Sequence, residues 1–144
     1  RNRPPLGMTP DFEKRLAAYG TPEQNRPLFE AGTPRYFKAG NLAAADLKRM
    51  IEINMQSGTP ALKEAFRTVL TAAAIPPERW SRIKAPTLIV VSTHDIVPFA
   101  AAAALAEGIP GSRIAVVENS GHTPMWEKPE RFSEHLAAFL RGIK

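Results

Sequence analysis

Two residues of this 144-residue chain pair a reactive side chain with a setting in which it could work. They are Asp95, in "VVSTHDIVP", and His122, in "ENSGHTPMWEKPERF". Each follows a short apolar run, and an ionisable group at the end of a buried strand is costly unless something uses it. A carboxylate beside an imidazole fixes the ring's tautomer and stabilises the imidazolium, leaving the other nitrogen as general base. Taken singly, a histidine after a strand reads as a core or surface residue. The pairing carries the chemical reading. Two further histidines are weaker candidates: His94 adjoins the acid and is expected to face solvent or a pocket rim, and His135 is expected on the surface of a final helix. His94, Asp95 and His122 could together hold a cation, but no H-x-x-x-H or similar spacing supports this, and no metal is expected.

The elements that must position the pair lie in the second half of the chain. "APTLIVVS" is a continuous, β-branched apolar run, as in a parallel strand covered on both faces, and predicts a strand over 87–92. A helix is expected from Pro98 to Glu107, with Gly108, Pro110 and Gly111 as punctuation. "SRIAVVEN" predicts a second buried strand over 114–117, and a closing helix runs from Pro129 to Arg141 with Phe132, Leu136, Phe139 and Leu140 inward. Strand, helix, strand, helix at these lengths describes a crossover in a parallel sheet. Asp95 and His122 then lie just past the carboxyl ends of strands about 4.8 Å apart, the edge at which open α/β sheets place their chemistry.

The first half has a different grammar. Thr-Pro recurs at 9, 21, 33 and 59, and threonine before proline is a helix-start signal. Helices are expected over Pro10–Tyr19, with Gly20 as its stop, over Leu42–Ser57, and over Pro60–Ala74. The first buries Phe12 and Leu16. The second is capped by Asn41, ended by Gly58, and striped by Leu47, Met50, Ile51 and Met55. The third buries Leu62, Phe66, Val69 and Leu70. "RPLFEAGTPRYF" reads as irregular.

Composition narrows the function classes. Hydrophobic residues make up 44% and charged residues 23%, the balance of a soluble globular domain. The net charge of +5 is scattered and does not form the clustered basic face of a nucleic-acid binder. No apolar stretch approaches the roughly 20 residues of a membrane span. The chain has no cysteine, which excludes disulfides, thiolate metal sites and a cysteine nucleophile. That absence does not fix the compartment, and the cytoplasm is the default expectation.

"IKAPTLIVVSTHDIVP" followed by "IPGSRIAVVENSGHTPMWEKPERFSEHLAAFL" resembles the C-terminal end of the α/β-hydrolase superfamily, over residues 82–140. Ser92 departs from the glycine that the family often has there. The resemblance implies an α/β fold whose C-terminal part, parallel strand-helix-strand-helix, is preceded by a helical cap. Residues 1–78 would be the cap and 79–144 the core. It implies that Asp95 is the acid and His122 the histidine of a nucleophile–acid–histidine triad, following in that chain order. It implies hydrolysis of an ester, amide or related bond in a small molecule or peptide, without a cofactor.

Tyr36, Phe37 and Trp126 are candidate substrate contacts, with Phe99 a further pocket-wall candidate. The nucleophile should precede Asp95 on a G-x-S-x-G elbow, yet Ser57, Ser81, Ser92, Ser112, Ser120 and Ser133 all lack those glycines. Ser120 is too near His122 in sequence to present its hydroxyl to that ring. The nucleophile is therefore expected from an N-terminal segment or a second chain that also completes the sheet, without which an open apolar edge would remain. An aspartate nucleophile, as in epoxide hydrolases and dehalogenases, a capped peptidase resembling proline iminopeptidases, and a non-catalytic receptor on the same fold are the alternatives.

Overall fold

The computed structural model of the chain describes residues 20–56, 64, 65, 68 and 75–143. The helix expected over Pro10–Tyr19 lies outside the described residues. Of the one expected over Pro60–Ala74, Glu64, Ala65 and Thr68 are described and helical, while its apolar positions are outside. The chain forms two compact units, one from Arg1–Thr33 and Ala44–Ala74, the other from Pro34–Ala43 and Ile75–Lys144.

In the first unit, helix α1 spans Pro22–Gly32 and opens on a complete capping box: the Thr21 side chain accepts from the Gln24 N–H, and the Gln24 side chain accepts from the Thr21 N–H. Residues 26–32 are thus helical where an irregular segment was expected. Pro27 lies inside α1, and the carbonyl deprived of its partner there belongs to Glu23, which is exposed and can bond water. Asn25 is fully buried and folds back to exchange hydrogen bonds with the Gly20 backbone. Helix α2 spans Ala44–Gln56, burying Ile51 and Met55 as the apolar stripe predicts, with Leu47 and Met50 half-buried. Arg26 of α1 forks onto Glu52 of α2 at 2.7 and 3.3 Å. Asn41 does not cap α2, which starts three residues later; its side chain is engaged elsewhere, as shown below.

The second unit holds strands β1 (Leu88–Ser92) and β2 (Arg113–Val117), paired in parallel with Leu88 opposite Arg113 and Ser92 opposite Val117. Helix α3 (Phe99–Gly108) makes the connection, starting one residue later than expected because Pro98 stands at its N-cap. Ala102, Ile109, Ala115 and Val117 form the buried core. A 3₁₀ helix, Pro77–Arg82, sets Trp80 so close to Gly108 that a Cβ there would lie 2.5 Å from the indole. Beyond β2 come a four-residue helix α4 (Pro124–Glu127), not anticipated although Thr123-Pro124 repeats the helix-start signal, and α5 (Pro129–Arg141) with the expected bounds.

Cover over the sheet is partial. Val116 is 41% exposed, and on α5 Leu136 and Leu140 are 38% and 55% exposed, whereas Phe132 and Phe139 are half-buried. No helix among the described residues is long and apolar enough to cross a membrane.

Candidate active site

Because β1 and β2 run in register, the loops after Ser92 and Val117 leave the sheet side by side, and hydrogen bonds lash them together. The Thr93 N–H donates to Val117 O (3.3 Å), the Asn119 N–H to Thr93 Oγ1 (2.9 Å), and the His94 N–H to Ser120 O (2.9 Å). Asn119 makes the turn in the left-handed region at φ 58°, a conformation that asparagine tolerates better than most residues.

These loops bring Asp95 and His122 into contact. His122 Nδ1 stands 2.8 Å from Asp95 Oδ1. The same carboxylate oxygen accepts from the Val97 N–H at 2.8 Å, which fixes its rotamer. The acid side chain is 12% exposed and the imidazole 39%, so the pair has a shielded end and an open end. Nε2, at the open end, makes no hydrogen bond to any described residue. The His122 N–H donates to Tyr36 O at 2.7 Å, and the two rings lie 5.7 Å apart between centroids, tilted by 40°. Phe37 follows, half-buried.

Of the other candidates, Trp126 and Phe99 are 60% and 57% exposed. His94 is exposed, as expected, with Nδ1 3.1 Å from Thr93 Oγ1. His135 is half-buried, not on the surface, because it shares the inner face of α5 with Phe132. Among the described residues no three acidic or histidine side chains are grouped to hold a metal ion. A cleft lined by Pro86, Arg113, Phe139 and Ile143 sits at the amino ends of the strands, the end opposite the Asp95–His122 pair and the wrong one for ligand chemistry in a parallel sheet.

One residue of this neighbourhood escaped the sequence reading. Glu127, on α4, is 6% exposed, and its carboxylate is surrounded by donors. Oε1 accepts from the Gly121 N–H at 2.8 Å and, at 3.4 Å, from the Thr123 hydroxyl; Oε2 accepts from the Lys38 N–H at 2.8 Å and Asn41 Nδ2 at 2.9 Å. Burial pushes this carboxyl's pKa up, but the bonds from Asn41, Lys38 and Gly121 outweigh burial and hold it below the usual carboxylate range. The nearby Ser120 hydroxyl adds to this, although it falls short of hydrogen-bond geometry and, like the Ser92 hydroxyl, is buried without a partner. Between Trp126 and Lys128 a glutamate reads as an ordinary surface charge. What calls for it are the N–H groups of Gly121 and Lys38 and the side chains of Asn41 and Thr123, and a sequence does not display that they converge.

Residues 2–135 match the alpha/beta hydrolase family, and the chain belongs to that family. Over 118 residues it is 31% identical to 2-hydroxy-6-oxononadienedioate/2-hydroxy-6-oxononatrienedioate hydrolase 2 of Pseudomonas putida, covering 67% of this chain and 41% of that protein. Over 66 residues it is 36% identical to the proline iminopeptidase of Saccharolobus solfataricus, covering 46% of this chain and 21% of that one. Among solved structures, the enol-lactonase from Burkholderia xenovorans LB400 superposes with a TM-score of 0.79 at 22% identity, over 90% of this chain and 49% of that one, a likeness of fold. The chain spans less than half the length of each of these three proteins. The α/β-hydrolase fold with its parallel strands is therefore the fold that the resemblance implied.

Proposed function

We propose that this chain carries the acid–base half of a hydrolase, with His122 as general base and Asp95 as the residue that orients it. The observation that carries the reading is the 2.8 Å contact between His122 Nδ1 and Asp95 Oδ1, with the imidazole open on its far side. With the Nδ1 proton donated to Asp95, Nε2 has a free lone pair and can take a proton from a nucleophile, then return it to the leaving group. The Asp95 carboxylate stabilises the imidazolium that forms. The nucleophile is assigned to an N-terminal segment or partner chain that also completes the sheet. The bond cleaved is an ester, amide or related bond of a small molecule or peptide, and an acyl-enzyme route to it balances with water alone. Hydrolysis is supported by the family and by the names of the two curated relatives, a dienedioate hydrolase and a peptidase. Tyr36, Phe37 and Trp126 are assigned to substrate contact. Residues 1–78 are read as the cap, to which substrate preference is assigned.

The test is hydrolysis of p-nitrophenyl acetate by the polypeptide that contains this chain and the nucleophile. His122→Ala is expected to lower kcat by about 10³-fold or more, and Asp95→Asn by somewhat less, with KM little changed. Turnover of His122→Ala within tenfold of wild type would overturn the assignment. Labelling of a serine by a phosphonate supports the esterase or peptidase reading, whereas an ester trapped on an aspartate supports the dehalogenase-like one.

A further inference from the structure

We infer that Glu127 is a positioning residue for His122: its one carboxylate ties the residues on both sides of the histidine to the backbone segment 38–41. The inference rests on the reading of His122 as the base. On one side, Oε1 takes the Gly121 N–H and the Thr123 hydroxyl, the immediate neighbours of His122. On the other, Oε2 takes the Lys38 N–H and Asn41 Nδ2. Asn41 Nδ2 also donates to Asn119 O at 2.7 Å, which extends the bridge to the turn after β2.

The backbone of His122 is thereby held along its whole length. Its own N–H is bonded to Tyr36 O, and at Gly121 the two segments approach so closely that a Cβ would stand 2.7 Å from both Lys38 N and Tyr36 O. With the backbone fixed, only the two side-chain torsions of His122 remain free, and the bond to Asp95 uses them. The 2.8 Å contact with Asp95 therefore depends on where the 121–123 backbone stands, which Glu127 sets. Reacting groups tolerate little looseness: a misplacement of about 1 Å can cost on the order of 10²-fold in rate.

Glu127 acts here as an acceptor only. Each hydrogen-bond partner described above for its two oxygens is a donor, so an amide of the same shape must turn its NH₂ toward another donor whichever way it flips. A glutamate with a purely structural role would lose stability on such a change but leave the chemistry of folded molecules alone. The experiment separates the two. In the polypeptide that contains this chain and the nucleophile, Glu127→Gln is compared with wild type for kcat and KM per folded molecule on p-nitrophenyl acetate. The low-field proton NMR signal of His122 Nδ1–H, assigned by its loss in His122→Ala, is followed in parallel.

The expected result is a ten- to hundredfold fall in kcat with KM within about threefold, a shifted or broadened Nδ1–H signal, and no further loss when Glu127→Gln is placed in a His122→Ala background. An unmoved signal, or an equal loss of kcat in both backgrounds, would overturn the inference. Full activity of His122→Ala would instead remove the general-base reading, and the NMR signal would still decide whether Glu127 sets the histidine's geometry. Should Glu127→Gln fail to fold, Asn41→Ala removes one of the four donors and is expected to move the signal and kcat in the same direction by a smaller amount; no movement in that variant overturns the inference.

Discussion

At the scale of single residues, the second unit contrasts two carboxylates. Asp95 keeps one oxygen on a histidine and a backbone N–H, while Glu127 is enclosed by donors from segments far apart in the chain. The net downward shift of Glu127 has a consequence for stability that its sign determines. A carboxyl whose folded pKa lies below its unfolded value of about 4.3 contributes stability above that value and loses it as pH falls through the folded one. The thermal midpoint of wild type is therefore expected to exceed that of Glu127→Gln near neutral pH, and the gap to shrink as pH drops from about 6 to 3. Melting curves of both proteins across this range check it. A gap that stays constant would show that the charge is not its source.

At the scale of elements, the histidine loop is defined by what packs against it. Gly121 is fully enclosed by the backbone of residues 36–38, and no side chain fits between. Gly121→Ala must push that segment or the loop aside, breaking bonds from His122 N–H to Tyr36 O and from Lys38 N–H to Glu127. Losing one or two such bonds inside the fold, one of them to a charged group, corresponds to about 2–4 kcal/mol. Gly121→Ala is expected to lower stability by that order in denaturant titration and to weaken activity as well. Gly111→Ala serves as the control: its added Cβ meets open space, and its penalty arises only from its φ of 73°. A Gly121→Ala variant as stable as wild type would mean that the loop and the 36–38 segment are not locked together.

At the scale of the whole molecule, the two paired strands found among the described residues, with partial cover, are a small sheet to stand alone. Val116, Leu136, Leu140, Met125 and Trp126 are each between 38% and 60% exposed, and such apolar surface on a short sheet is a site for association. Residues 1–144 expressed by themselves are expected to be aggregated or molten, to bind a hydrophobic dye, and to resist labelling by a serine-directed phosphonate. Co-expression with the polypeptide segment that carries the nucleophile is expected to restore solubility and labelling, with the label on that segment. A monodisperse, cooperatively melting and active preparation of the chain alone would refute the proposal.

Features that depend on neighbours along the chain are legible in the amino-acid order. The β-branched runs at 88–92 and 113–117 define strands because side-chain shape and continuous apolarity act locally, and the connecting helix length then makes the pair parallel. The carboxyl ends of two such strands are adjacent, so the meeting of Asp95 and His122 is legible in the sequence. The bounds of α5 were legible for the same reason. Asn41 was not: it stands where a helix cap would stand, and only the fold offers it a buried carboxylate 86 residues away. Nor was Glu127, whose other long-range partner is the N–H of Lys38, 89 residues away. Turn geometry decides which backbone donors remain unpaired, and tertiary packing decides which acceptor reaches them. The chemistry of the pair lies in local pattern; the bridge that holds it lies in contacts between distant parts of the chain.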